Sequence, residues 1–194
     1  MMHRRSIVGF GMAAALLGSA AAIGIVDRTA LHGRRTGGPL SCPECGRTEA
    51  GVPVTVGLPV SYGAVHLTNN GSEPAVLERV SLLDADSAMK LVGVMILDIG
   101  REPAVGLALG YPPKRARGTT HSVAGYTLPP PNEAYLGALV VVGAKLIASG
   151  RHRFRRIAVD YRVRHRRYRA LFDSSLVLCA PPSISTSECA GADP

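Results

Sequence analysis

Tryptophan is absent from this 194-residue chain, phenylalanine occurs three times, and aromatic residues make up 5% of it. Of these, only Phe154, Tyr161, Tyr168 and Phe172 interleave with the arginine-rich stretch 151–169 and its return, and period two turns them inward, away from any base to be stacked, so no nucleic-acid partner is expected. Lysine is scarce too: Lys90, Lys114 and Lys145 are the only three among 22 basic residues. That bias towards arginine, with the abundant Ala and Gly, points to a GC-rich bacterial genome. Catalytic signatures are also missing. There is no HExxH, no Gly-x-Ser-x-Gly and no phosphate loop, and His66, His121, His152 and His165 are scattered with no helical i, i+4 pair. Asp84 and Asp86 flank Ala85, a spacing open to calcium but ordinary in a solvated turn. We therefore assign no catalytic residue, no cofactor and no metal site, and expect a non-enzymatic role.

Long apolar runs are missing with one exception. Residues 6–26, SIVGFGMAAALLGSAAAIGIV, carry no charge, follow Arg4 and Arg5, and end at Asp27 and Arg28. A helix of about 20 apolar residues spans a bilayer core. A positive flank before an apolar run also opens a signal peptide, and Ala20, Ala21 and Ala22 offer a small-residue cleavage site. The run exceeds the usual h-region of ~7–15 residues, which favours an uncleaved anchor. Residues 1–28 are thus read as a signal-anchor or signal peptide. Arg28, Arg34 and Arg35 after the run balance Arg4 and Arg5 before it, so the positive-inside rule does not choose an orientation. The exported character of the remaining chain does. The expected location is the cell membrane, single-pass, with the domain outside the cytoplasm, or the medium if the run is cut.

Residues 29–51 are rich in Gly, Pro, Thr and charge and read as a flexible linker holding a CxxC. From 52 to 179 the pattern becomes short apolar runs separated by turn residues such as Asn69-Asn70-Gly71-Ser72 and Pro129-Pro130-Pro131-Asn132. Nine such runs predict an all-β domain, an immunoglobulin-like antiparallel β-sandwich preceded by the one N-terminal hydrophobic helix. Residues 180–194 lack apolar periodicity and read as a flexible tail. The stretches GAVHLTNNGSEPAVLERVSLL, AGYTLPPPNEAYLGALVV and IAVDYRVRHRRYRA resemble hairpins of uncharacterised membrane-anchored or secreted Ig-like β-sandwich proteins of high-GC Gram-positive bacteria. The resemblance covers about residues 57–179 and implies a fold and a location but no activity. The turn Arg164-His165-Arg166-Arg167 lacks the expected glycine, so a four-residue loop is predicted in place of a two-residue one.

Nine of the nineteen residues 151–169 are arginine. Ile157, Val159, Tyr161 and Val163 alternate with Ala158, Asp160, Arg162 and Arg164, a period of two that buries the first set and solvates the second. Tyr168, Ala170 and Phe172 continue the inward face, leaving Arg167 and Arg169 outward. Phe154 does not share parity with Ile157, which predicts a bulge near Arg155 and Arg156. Against its one acid, Asp160, this stretch carries +8, while the remainder from residue 37 onward carries about −4. Arg162, Arg164, Arg167 and Arg169 are therefore the anion-binding candidates, for acidic lipid, wall polymer or an acidic protein. A plain solvated sheet face explains the same pattern.

Cys42-Pro43-Glu44-Cys45-Gly46 looks like one zinc-ribbon knuckle, but tetrahedral zinc needs four ligands and Cys179 and Cys189 are spaced too widely for a second knuckle. Four cysteines in an exported chain most simply form two disulfides. Cys42 and Cys45 precede the domain while Cys179 and Cys189 follow it, so bridges between the groups would close a loop worth ~4–5 kcal/mol by chain entropy. The competing expectation is a thiol or zinc site at Cys42 and Cys45.

Overall fold

The computed structural model describes residues 35–46, 49–98, 106–114, 118–132, 135 and 137–191. The apolar run 6–26 lies outside them. Among the described residues no helix is long and apolar enough to cross a membrane.

The strands are β1 (Arg35–Thr36), β2 (Leu40–Ser41), β3 (Glu49–Pro53), β4 (Val60–Asn69), β5 (Ala75–Leu83), β6 (Met89–Asp98), β7 (Leu107–Leu109), β8 (Thr119–Ser122), β9 (Thr127–Leu128), β10 (Ala138–Leu146), β11 (Gly150–Val163) and β12 (Arg166–Ala180). One short helix, α1 (Thr186–Ala190), follows. The protein is all-β in two sheets. The first runs β1-β12-β11-β5-β9, with β3 also on β12; the second runs β2-β4-β10-β6-β8, with β7 also on β4. Most pairs are antiparallel, but β1 and β3 both run parallel to β12.

Alternation decides what each strand buries. Val140, Val142, Ala144 and Leu146 of β10 face a common core with Ile157, Val159 and Tyr161 of β11 and Ala170, Phe172, Leu176 and Leu178 of β12. Side chains from both sheets meet there, with the rings of Tyr62 and Phe154 6.1 Å apart. The bulge expected near Arg155 is present: the β11–β12 register shifts between Phe154 and Arg156. Arg155 stands against both Ser174 and Ser175, so Phe154 and Ile157 both reach the core although three residues apart.

Three local expectations change. The β11–β12 turn is two residues long, not four, because Val163 pairs directly with Arg166. Arg164 supplies the left-handed backbone that glycine usually provides, at φ +53°. The segment read as a linker contributes β1, β2 and β3, which cover sheet edges by backbone pairing and need little apolar periodicity to do so. The tail is ordered through residue 190 by α1, whose capping box joins Ser185 and Glu188. Gly51 makes room for that helix, since a Cβ there would lie 2.4 Å from the Ala190 backbone nitrogen.

On the outer face of the second sheet, Gly93 and Gly143 stand opposite each other under the ring of Tyr111. A Cβ on Gly143 would come within 2.4 Å of that ring. Gly143→Ala should therefore destabilise the fold by ~1–3 kcal/mol through overpacking. Adding Tyr111→Ala should remove most of that penalty; strictly additive losses in urea melts would show that the ring is not the cause.

Burial raises the phenol pKa of Tyr62, Tyr111, Tyr126, Tyr135 and Tyr161 above the ordinary 10.0. A raised phenol favours the neutral form in the fold. Its contribution is complete below the unfolded value and is lost as pH rises through the folded one. Absorbance at 295 nm should thus show Tyr62, Tyr111, Tyr126, Tyr135 and Tyr161 ionising only as the circular dichroism of the fold disappears. Ionisation of these five near pH 10 with the fold intact would contradict this.

Candidate functional site at the arginine hairpin

The β11–β12 hairpin carries the nine arginines, and the structure shows where each one goes. Asp160 is completely buried. Its carboxylate accepts from Arg169 Nε at 2.8 Å and from Arg79 Nε at 3.3 Å, and the three residues form one cross-strand row. Arg169 is correspondingly only 19% exposed. It was expected on an open face and is instead committed to the sheet.

The other candidates divide. Arg164 at the turn is bound to Glu73, whose carboxylate holds the guanidinium above its ordinary pKa. Arg167 meets Glu78 at 3.5 Å. Glu78 is the residue that β5 leaves unpaired where its register with β11 slips between Asp160 and Tyr161, and the slip places the carboxylate beside the hairpin. Arg162 faces Arg167 across the hairpin and donates only to the Arg164 carbonyl, at 3.5 Å. The sequence expectation of one uninterrupted positive face is thus corrected: acids from the β4–β5 turn and from β5 are set into it. Of the four candidates, Arg162 alone has no carboxylate partner among the described residues. Arg166, one residue past the turn, is exposed in the same way.

Arg151 and Arg156 tie the hairpin to the fold through their side chains. Arg156 binds Asp84 at 2.7 Å. Arg151 donates to the carbonyls of Cys189 and Gly191, capping the end of α1. Asp86 accepts the backbone N–H of Arg153 at 2.9 Å and stands 3.8 Å from His152. Asp84 and Asp86, weighed above for calcium, therefore serve β11.

At the turn, Ser72, Glu73, Arg164, His165, Arg166 and Tyr168 line a shallow cleft of about 310 Å³. It presents cationic and hydrogen-bonding groups around a single carboxylate, Glu73, which suits a small oxyanion.

The cysteines are bonded, but not between the two groups. Cys42 joins Cys45, and Cys179 joins Cys189. The connectivity that the sequence leaves open is local: a turn in which the Cys45 N–H donates to the Cys42 carbonyl holds the first pair, and α1 brings Cys189 onto β12 for the second. Cys189 is buried on Val177 and Cys179, so the second bridge secures α1 to β12. Cys45 borders a cleft whose charged groups are the carboxylates of Glu44 and Asp173, the wrong sign to favour a thiolate. Among the described residues no three His, Cys, Asp or Glu side chains are grouped as metal ligands.

No family model, curated protein or solved structure matches this chain. The hairpin is therefore read from its own geometry. Sequence reasoning missed Asp160 as a buried acid and Glu73 and Glu78 as partners. One signal was present, since Asp160 is the only acid among nine arginines.

Removing the Asp160 carboxylate leaves Arg169 nearly buried and unpaired. Asp160→Ala should cost about 3 kcal/mol, the low end for a broken buried pair because Arg79 can swing into water. Arg162→Gln should stay within ~0.5 kcal/mol of the parent. Equal melting temperatures for the two variants would show that the row is not a structural tie.

Proposed function

We propose that this chain is a membrane-anchored, extracytoplasmic β-sandwich of the immunoglobulin type with a binding or structural role and no enzymatic one. It would belong with the membrane-anchored or secreted Ig-like proteins of high-GC Gram-positive bacteria that its hairpins resemble. The observation that carries the fold reading is strand order. In the immunoglobulin arrangement strands A-B-E-D form one sheet and C-F-G the other. Here β2-β4-β10-β6 supports the first assignment and β5-β11-β12 the second. The departure is in the core: the chain has no tryptophan, and neither disulfide joins β4 to β11.

Two disulfides with no free cysteine support an oxidising compartment. The uncharged run at residues 6–26 supports the anchor. A binding role fits because the hairpin groups converge on a cleft without assembling a nucleophile, base and orienting partner.

A C-terminal alkaline phosphatase fusion should be active in intact cells and sediment with membranes, and protein purified without reductant should show no titratable thiol. An inactive fusion, or four thiols with one equivalent of zinc, would move the assignment to a thiol or zinc protein using Cys42 and Cys45.

A further inference from the structure

The turn of the arginine hairpin and the start of β1, the first described strand, lie at one end of the domain. β12 begins at Arg166, beside the turn, and runs away from it. β1 is parallel to β12 and pairs Arg35 with Tyr168 and Thr36 with Arg169. β1 therefore starts at the turn end. Eight residues, 27–34, separate β1 from the uncharged run, a leash of at most ~28 Å.

We propose that the hairpin tip, through Arg162, His165 and Arg166, docks on the acidic phospholipid headgroups of the membrane that anchors the chain. The inference rests on the anchored reading above and narrows it to one partner and one face. Three observations carry it. The tip is the end at which β1 starts. Its exposed arginines include two, Arg162 and Arg166, that have no carboxylate among the described residues, whereas Arg164, Arg167 and Arg169 are occupied by Glu73, Glu78 and Asp160. The tip also keeps a positive balance of about +3 after Glu73, Glu78 and Asp160 are set against Arg79, Arg162, Arg164, Arg166, Arg167 and Arg169. A cationic face on a short leash sees a high local concentration of headgroups, so modest charge suffices to hold it.

β11 provides a ruler for the test. His152 and His165 stand at its two ends, separated by roughly 40 Å of strand. The full chain is reconstituted into nanodiscs of phosphatidylcholine with or without phosphatidylglycerol, each containing a gadolinium-chelating lipid, and the histidine ring protons are followed by NMR. His165 signals should broaden in the acidic discs while His152 signals do not. The effect should fade between ~0.1 and ~1 M salt as the Debye length falls from about 10 to 3 Å. Arg162→Gln with Arg166→Gln should lower the docked-to-undocked ratio about thirtyfold, at ~1 kcal/mol for each basic residue. Arg155→Gln, in the bulge far from the tip, should leave the ratio unchanged. Equal broadening of His165 in neutral and acidic discs, or none in either, overturns the proposal. Displacement of the tip by soluble poly(glycerol phosphate) at equal phosphate assigns the face to wall polymer and overturns it as well. If the chain does not enter discs at all, the anchored reading fails; the free protein is then titrated with phosphatidylglycerol vesicles, where binding lost in the double variant supports the lipid-facing tip and no binding overturns it.

Discussion

The pairing of β11 with β12 is the contact on which the rest of the domain is assembled. These two long strands run side by side from Gly150 opposite Ala180 to Val163 opposite Arg166. Every other part of the first sheet is added to them: β5 on one side, β1 and β3 on the other, with β9 extending β5. α1 is attached through the Cys179–Cys189 bridge and through Arg151. Tyr161 concentrates this dependence in one side chain. Its ring stacks on Tyr168 at 5.4 Å, its hydroxyl donates to the Gly37 carbonyl, and the Leu40 N–H reaches it at 3.5 Å. The approach is so close that a Cβ on Gly38 would lie 2.3 Å from the hydroxyl. A core aromatic thereby fixes where the N-terminal chain joins the sheet.

Arginines crowded on adjacent strands cost stability when they face one another, as Arg162 and Arg167 do. The fold offsets that cost by placing acids among them. Glu73 and Glu78 come from a turn and a bulge, places where a side chain can be re-aimed without disturbing the core. Asp160 is different, because a buried carboxylate is tolerable only with partners on both sides. Arg79 and Arg169 supply them from the two flanking strands, so the row works as a register mark: slipping either strand by one residue would take one of its two partners from the buried carboxylate. On this account most of the arginines are internal ties, and the positive surface that remains is smaller and more localised than their number suggests.

Much of this architecture was legible because strand periodicity is a local property. The alternation from Ile157 to Val163, its continuation through Phe172 and the parity break at Phe154 each follow from which neighbours are apolar. The partners of the arginines were not legible, since Glu73 lies 91 residues from Arg164 and only the sheet brings them together. The β1–β3 segment was missed for a related reason: edge strands are held by backbone hydrogen bonds, so Gly and Pro composition read as linker although β3 pairs five residues with β12. The tail carried a readable capping box at Ser185 and Glu188, but without an apolar stripe beside it that signal had little weight. Cysteine connectivity is not legible from spacing alone, because it depends on the turn that holds Cys42 and Cys45 within 5.4 Å, Cα to Cα.

The hairpin's length gives the domain two unlike ends. At the tip, charge and hydrogen-bonding groups surround the turn. At the other end of β11 the chain passes through Ile147, and Leu58 and Leu109 stand close by, 53%, 60% and 76% exposed. Leu58 and Leu109 line an apolar cleft of about 350 Å³ with Val54 and Val60. The two ends are built from the same strands, so neither can be altered freely: the turn at Arg164 must close β12 onto β11, and the Gly57 N–H must reach the Leu146 carbonyl to shape the apolar end. Parallel pairing of β1 with β12 adds direction to this asymmetry. β1 starts opposite Tyr168, two residues along β12 from Arg166, so the first described strand joins the sheet at the charged end and not at the apolar one.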